Sequence, residues 1–157
     1  MTLTELAWLS LAAYAIHMVE EFMLDWRDWA RAVIKLPVDW GDFYITNSVV
    51  VVLGIVQAQL AATFPLAPLV FAALMLVNAT FFHVAPVIWT RGRFSPGAIT
   101  AVLLFYPMAY GVYARAAADG VLTDGLLAGS LVLGAVLMAL PIAFLHLRGL
   151  PYFRQTP

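Results

Sequence analysis

The sequence predicts an all-α fold, a polytopic membrane bundle of five transmembrane helices. Hydrophobic residues make up 64% of the 157-residue chain and charged residues only 11%, whereas a soluble domain is about 25% charged. The apolar residues also fall into five segments of about 20 residues, the length that a helix needs to cross a bilayer. Because a helix satisfies its own backbone hydrogen bonds in lipid, helices are favoured over strands for all five segments.

Each element can be placed in order along the chain. The five apolar segments are residues 3–24, 43–64, 69–89, 96–116 and 122–147. Pro107 and Pro141 lie inside the fourth and fifth segments, where each is expected to kink its helix. Residues 25–42 combine mixed charge with tryptophan, which predicts a short amphipathic helix along the membrane interface. Gly125 and Gly129 predict a close helix–helix contact. No soluble segment is left over, so residues 1–157 are predicted to form a single integral membrane domain.

The basic residues predict how the bundle is oriented. In a five-span chain the loops alternate between two sides, and Arg115 is the single basic residue on one of them. The other side receives the remaining basic residues, which are Arg27, Arg31, Lys35, Arg91, Arg93, Arg148 and Arg154. Positively charged loops favour the cytoplasm. The N-terminus is therefore predicted to lie outside and the C-terminus in the cytoplasm.

Composition also excludes several classes of function. The chain has no cysteine, which rules out disulfides, thiolate metal sites and cysteine nucleophiles. Its net charge of -1 and the lack of a basic stripe argue against a nucleic-acid partner. The predicted partner is the lipid bilayer, and any function belongs to the helical bundle itself.

Polar residues form a stripe along the first segment. His17, Glu20 and Glu21 are spaced i, i+3 and i+4, so all three share one face of a helix. The stripe continues through Ser10, Tyr14, Asp25 and Asp28, and the opposite face carries Leu9, Ile16 and Met23. An ionisable side chain at the bilayer centre costs about 2.5–3.5 kcal/mol on the insertion scale. The stripe is therefore expected to face the interior of the bundle or a water-filled cavity.

Polar residues of two other segments lie at a similar depth. At 1.5 Å per residue, His17, Asn47 and His83 are each roughly 7–12 Å from the cytoplasmic end of their segments. Asn78 lies deeper on the segment of His83, turned away from it by about 140° in a regular helix. Either the two side chains serve different neighbours or a π-bulge brings them together. The predicted site therefore comprises His17, Glu20, Glu21, Asn47, His83 and Asn78.

The chemistry of this site allows several interpretations. Imidazole and carboxylate are the usual ligands of zinc and non-haem iron, so a divalent metal bound by His17, Glu20, Glu21 and His83 is one of them. Without a metal, the paired carboxylates provide an acid–base pair and a histidine can carry the proton. A purely structural role, fixing helix packing, needs only weak interhelical hydrogen bonds of about 0.6 kcal/mol. Two acids and a histidine are costly for packing alone, which favours a functional site.

The motif His17-Met-Val-Glu20-Glu21 resembles the HXXEE family of small bacterial membrane proteins. The similarity extends over most of the chain, through Asn47, the stretch Asn78-Ala-Thr-Phe-Phe-His83 and the turn Ser95-Pro96-Gly97. The resemblance implies an intramembrane site of histidine, glutamate and asparagine for which enzymatic activity has been suggested, without supplying a substrate. It also implies a location in the bacterial inner (plasma) membrane.

Two functions follow as hypotheses. The first is an integral membrane enzyme with its site in the cytoplasmic leaflet, acting on an apolar or lipid-like small molecule that enters sideways between helices. The alternative is a small proton- or cation-coupled transporter or ion-binding protein. An odd number of spans without an internal repeat argues mildly against a transporter. A scaffold is a third possibility, and it would need none of the ionisable groups.

Overall fold

A computed structural model describes residues 1–148 and 150–153, and the regular structure of these residues is entirely helical. The helices are α1 (Leu3–Met23), α2 (Trp26–Val33), α3 (Trp40–Leu60), α4 (Leu66–Trp89), α5 (residues 98–118) and α6 (Asp124–Arg148), followed by a 3-10 turn at Pro151–Phe153. The all-α prediction is confirmed. The five long helices coincide with the predicted apolar segments, and α2 occupies the place of the predicted interfacial helix. Arg154, counted above among the cytoplasmic basic residues, lies outside the described residues.

Three of the described helices, α3, α4 and α6, are long and apolar enough to cross a membrane. This property associates the chain with a membrane. Helix α1 has a more polar sequence because it carries Glu5, His17, Glu20 and Glu21. The count of five spans and the orientation of the N-terminus remain predictions.

The polar stripe of α1 faces the inside of the bundle. Its members Ser10, Tyr14, His17 and Glu21 are all buried. On the opposite face Ile16 is 54% and Met23 is 69% exposed. This arrangement is the reverse of a water-soluble helix and suits a hydrocarbon environment, in which ionisable side chains turn inward. The prediction that the stripe faces the interior of the bundle is confirmed for these four residues. It is wrong for Asp25 and Asp28, which lie beyond the end of α1 and are exposed.

Helix α4 is central, because it packs against α1, α3, α5 and α6. Leu69, Ala73 and Met75 on this helix have no exposed surface. Two wide turns interrupt regular α-helix in the bundle, a π-helical segment at Asn78–Val84 in α4 and another at Ala101–Phe105 in α5.

Each π-helical segment ends two residues before a proline, Pro86 in α4 and Pro107 in α5. Proline lacks an N–H and its ring clashes with the carbonyl group four residues earlier. A wider turn relieves this clash, which gives the physical reason for both segments. The π-bulge considered above as one way to bring Asn78 and His83 together is therefore present.

The tightest helix contact lies at Gly134 on α6. A Cβ atom at this position would lie 2.6 Å from Cβ of Ala73 and 2.7 Å from the backbone nitrogen of Leu74. The sequence had suggested Gly125 and Gly129 for such a contact. A Cβ atom at Gly129 would instead meet no atom of the described residues within 4 Å. The close approach of α6 to α4 therefore depends on Gly134, because only this glycine faces the central helix.

We expect Gly134→Ala to destabilise the protein by about 1–3 kcal/mol, because the added methyl group overpacks the contact between α6 and α4. Gly129→Ala is the matched control on the same helix, and it should be neutral or stabilising because alanine favours helix. Thermal denaturation of the purified chain in detergent measures both variants. Equal melting temperatures for the two variants would contradict a tight contact at Gly134.

Candidate metal centre

Three buried side chains converge at one point between α1 and α4. Oε1 of Glu21 lies 3.5 Å from Nε2 of His17 and 3.4 Å from Nε2 of His83. The three potential ligand atoms all lie within 4.8 Å of one another. Both histidines are 0% exposed and Glu21 is 4% exposed. The predicted meeting of the first and third segments at His17 and His83 is therefore confirmed, and the cluster could hold a metal ion.

Local helix geometry aims these side chains at one another. His17 and Glu21 are one turn apart on α1, so they share a face. His83 lies in the π-helical segment of α4, and its ring meets the ring of His17 edge-on at a centroid distance of 4.7 Å. The buried ring of Phe105 packs against His17 at 4.3 Å. The histidine rings are thus held by packing as well as by hydrogen bonds.

A hydrogen-bond chain sets the tautomer of His17. Nδ1 of His17 lies 2.8 Å from the hydroxyl oxygen of Thr100. That hydroxyl donates its only proton to Oε2 of Glu20, at 2.6 Å. Thr100 must therefore accept a hydrogen bond from Nδ1–H of His17. The imidazole keeps its proton on Nδ1 and turns the lone pair of Nε2 toward Glu21.

His83 is arranged in the same way. Its Nδ1 lies 3.2 Å from the hydroxyl oxygen of Ser95, and the Ser95 hydroxyl oxygen also lies 3.4 Å from the carbonyl oxygen of Phe82. If Ser95 donates to Phe82, the His83 proton lies on Nδ1 and Nε2 carries the lone pair; if Ser95 donates to Nδ1, the N–H of Nε2 faces Glu21. In each histidine the nitrogen away from the cluster is occupied by a hydroxyl group, which is how ligating histidines are usually oriented.

The consequence is that Nε2 of His17 is an acceptor that faces the acceptor oxygens of Glu21. Nε2 of His17 and Nε2 of His83 are both buried and lack a hydrogen-bond partner among the described residues, and the carboxylate of Glu21 is also an acceptor. Unpartnered buried acceptors are costly, so the arrangement calls for a shared cation. Two ligands of a tetrahedral zinc ion, bound at 2.0–2.1 Å, lie about 3.3–3.4 Å apart. The two separations from Glu21, 3.4 Å and 3.5 Å, are close to this value.

Glu20 does not join the cluster, although the sequence suggested it as a fourth metal ligand. Its Oε1 accepts hydrogen bonds from the backbone N–H groups of Gly97 at 3.0 Å and Ile99 at 3.2 Å. Its Oε2 accepts from the backbone N–H of Thr100 at 2.8 Å and from the hydroxyl of the same residue. The N-terminus of a helix offers unpaired N–H groups and a partial positive charge. Glu20 therefore caps α5 from a neighbouring helix and supports His17 through Thr100.

Asn47 and Asn78 adjoin the cluster through a small cavity. Asn47 accepts a hydrogen bond from the hydroxyl of Tyr14 at 3.2 Å and donates to the carbonyl oxygen of Phe43 at 3.0 Å. Oδ1 of Asn78 is buried without a partner among the described residues. Both asparagines line a cavity of about 60 Å³ that also reaches Glu21, enough for one or two water molecules. Asn78 thus shares a cavity with Glu21, whereas His83 contacts the Glu21 carboxylate directly.

Gly97 makes room for the two histidine rings. It has a positive φ of 95° and precedes α5. A Cβ atom at this position would lie 2.5 Å from Cε1 of His83 and 2.8 Å from Cε1 of His17. Sequence analysis predicted only a turn at Pro96-Gly97. The structure adds that both rings occupy the space that any larger residue would fill.

Sequence analysis missed the two hydroxyl residues that orient the histidines, Ser95 and Thr100. Both flank the turn that begins α5, and serine and threonine are typical of helix N-termini. That signal could have placed them at a helix start. It could not have paired either one with a histidine, because the partner helices are distant in sequence.

The fold and the site together define a class of protein. The chain is a membrane-associated helical bundle whose interior holds two histidines within ion-pair distance of one carboxylate. The chain belongs to the HXXEE family, described as protein of unknown function with HXXEE motif, which it matches over residues 8–112. The match contains every residue of the cluster and its supports, whereas α6 lies beyond it. No curated protein and no solved structure matches the chain.

We expect Gly97→Ala to lower the melting temperature, because the methyl group meets both histidine rings in a backbone conformation that alanine disfavours. Gly92→Ala is a matched control, since Gly92 also has a positive φ, 98°, but a Cβ atom there meets nothing within 4 Å in the described chain. The difference between the two variants, measured by thermal denaturation, isolates the clash and should correspond to about 1–3 kcal/mol. Identical losses of stability in Gly97→Ala and Gly92→Ala would contradict the clash, because they would show that the histidine rings move aside for the methyl group.

Proposed function

We propose that this protein is a zinc-dependent enzyme embedded in the membrane, with His17, Glu21 and His83 as the metal ligands. The observation that carries the proposal is the convergence of three buried potential ligand atoms, of which both histidine nitrogens lack a hydrogen-bond partner among the described residues. A single proton shared between a histidine and Glu21 would give one short charge-assisted hydrogen bond of about 2.7–2.9 Å. The distances from Oε1 of Glu21 to the Nε2 atoms of His83 and His17 are instead similar, at 3.4 Å and 3.5 Å. This similarity supports a metal ion.

The ligand spacing supports zinc over iron. Two histidines and one carboxylate serve both catalytic zinc and non-haem iron(II). Neighbouring ligands of an octahedral iron at about 2.1 Å would lie about 3.0 Å apart. The separations from Glu21, 3.4 Å and 3.5 Å, are closer to tetrahedral spacing. We therefore propose zinc on these two separations, while the third pair of ligand atoms, the two Nε2 atoms, lies within 4.8 Å.

The number of ligands supports a catalytic rather than a structural metal. Structural zinc sites use four protein ligands, whereas catalytic sites use three and leave a position for water or substrate. The cavity beside Glu21 provides room for water, and the unpartnered amide oxygen of Asn78 can accept a hydrogen bond from it. A zinc ion with an open position activates water for hydrolysis. We therefore favour hydrolysis of an apolar or lipid-like substrate.

The placement of charges supports the orientation proposed for the chain. Arg93 lies beside Asp25 and Asp28 at the end of the bundle where α1 finishes, and Arg148 forms an ion pair with Asp42. Arg115 lies near the N-terminus, beside residues that include Met1, Thr2 and Glu5. This distribution agrees with five spans, an outer N-terminus and a cytoplasmic C-terminus in a bacterial inner membrane. Glu21, near the end of α1, would then lie in the cytoplasmic leaflet.

A proton- or cation-coupled transporter is the alternative. The same cluster could hold a proton or another cation that is carried across the membrane. Metal analysis tests the proposed enzyme against a proton-coupled transporter, because an enzyme of the proposed kind retains one zinc ion per chain through purification.

We expect the full chain, purified in detergent and supplied with zinc, to retain about one zinc ion per chain by elemental analysis. His17→Ala, Glu21→Ala and His83→Ala should each lose it, because two remaining ligands hold zinc weakly. His146→Ala is the control, since His146 is an exposed histidine on α6 that bonds the carbonyl oxygen of Ile142. A wild-type chain that binds no zinc, or equal loss in His146→Ala, would overturn the proposal.

We further expect Glu20→Gln and Thr100→Val to lower zinc affinity about 10- to 100-fold, the usual effect of removing a group that orients a metal ligand. Thr100→Ser should restore affinity, because it keeps the hydroxyl. Glu5→Gln serves as the control, because Glu5 caps the distant start of α1. Competition with a zinc-binding dye measures affinity, and melting of the zinc-free forms measures stability. If zinc affinity is unchanged in Glu20→Gln and Thr100→Val, Glu20 acts only as a helix cap and does not orient a metal ligand.

A further inference from the structure

An apolar groove runs along the outside of the bundle between α3 and α6. Its volume is about 530 Å³, within the range of about 300–1,000 Å³ that is typical of ligand pockets. The groove is open on one side, and its apolar walls include Ile45, Val49, Leu53, Leu137, Leu140 and Phe144. At one end lies the ion pair of Asp42 and Arg148. The groove is therefore apolar along its length and charged at one end.

The groove adjoins the cavity of the candidate metal centre. Four residues line both spaces, namely Asp42, Thr46, Pro141 and Leu145. The cavity in turn reaches Glu21. The junction contains Asp42 and therefore lies at the charged end of the groove. A molecule in the groove can thus approach the cluster near its polar end.

The length of the groove matches one leaflet of a bilayer. From Asp42 to Leu53 on α3, and from Leu137 to Arg148 on α6, the walls extend about 16 Å at 1.5 Å per residue. This is about half of the 30 Å hydrocarbon core. One hydrocarbon chain of one leaflet would therefore fit the groove, with its polar head level with the ion pair.

The charged end can recognise an anionic head. Nη1 of Arg148 lies 2.6 Å from Oδ1 of Asp42 and Nη2 lies 3.1 Å from Oδ2, so the guanidinium is held by two parallel hydrogen bonds. Asp42 is itself fixed by the backbone N–H of Asp39 at 2.9 Å. The side chain of Arg148 remains 56% exposed. Its remaining N–H groups have no partner among the described residues and could bind a carboxylate or phosphate.

We infer that this groove binds the hydrocarbon chain of an anionic single-chain amphiphile, with Arg148 at the head and the bond next to the head at the junction with the cavity. This inference rests on the proposed function for its chemistry and names the substrate class as single-chain acyl esters or amides. Hydrolysis would break the bond between the acyl carbon and the head oxygen or nitrogen. The hydroxyl group of water joins the acyl carbon, and the other proton of the same water molecule goes to the departing head group.

A photoreactive fatty acid, with a diazirine in its chain, tests this inference in the full-length protein in bilayer nanodiscs. We expect crosslinks to concentrate on residues 42–53 and 137–148 and to be competed by an unlabelled fatty acid. Val49→Trp should reduce this labelling at least tenfold by filling the groove, and Arg148→Gln should weaken it by removing the partner of the carboxylate. Val132→Trp is the control, because Val132 is 62% exposed on α6 outside the groove and Val49 is 54% exposed.

Labelling that is not competed, or that is as strong on the exposed Leu103 of α5 as in the groove, would indicate ordinary boundary lipid and overturn the inference. Competition in the wild type decides the matter even if Val49→Trp does not fold. Zinc binding and groove labelling, measured on the same protein, separate the two proposals. Zinc binding without specific groove labelling would refute the groove alone, and specific labelling in a wild type that binds no zinc would refute the metal centre alone.

Discussion

The described structure is organised around the electrostatic requirement of three potential ligand atoms that meet inside an apolar bundle. Nε2 of His17, Nε2 of His83 and the carboxylate of Glu21 face one another, and both Nε2 atoms lack a hydrogen-bond partner among the described residues. Such a group could hold a proton or a metal ion at its centre, because buried acceptors that lose water are stabilised by a positive partner. Helices α1 and α4 supply the side chains of this centre, and α5 holds them in place.

Helix α5 provides the support. Its N-terminus contributes Thr100 to His17, and the preceding turn contributes Ser95 to His83 and the space at Gly97 to both rings. Glu20 fixes this helix end through its backbone N–H groups, so one carboxylate of the motif organises the support while the other enters the cluster. The two adjacent glutamates therefore have different roles, which explains why the motif contains a pair.

The bundle also connects this polar centre to its apolar surroundings. A small polar cavity lies beside Glu21, and an apolar groove of one-leaflet length begins where that cavity ends. The enzyme that we propose would need both environments, because its substrate would be dissolved in lipid while the attacking water would not. Helix α6, which forms one wall of the groove, lies beyond the residues that match the family. The centre and the groove are thus built from different parts of the chain.

The sequence by itself determined the helical class, the position of the long helices and the inward-facing stripe, because these follow from apolar content and the helical repeat. It also paired His17 with Glu21, since residues one turn apart share a face. Only the tertiary structure decided that Glu21 meets His83, that Glu20 turns to α5, and that Thr100 and Ser95 orient the histidines. Spacing along a helix determines the direction of a side chain, but not which helix lies opposite. That choice depends on the packing of segments far apart in sequence, here on the π-helical turn before Pro86 and on the missing side chain of Gly97.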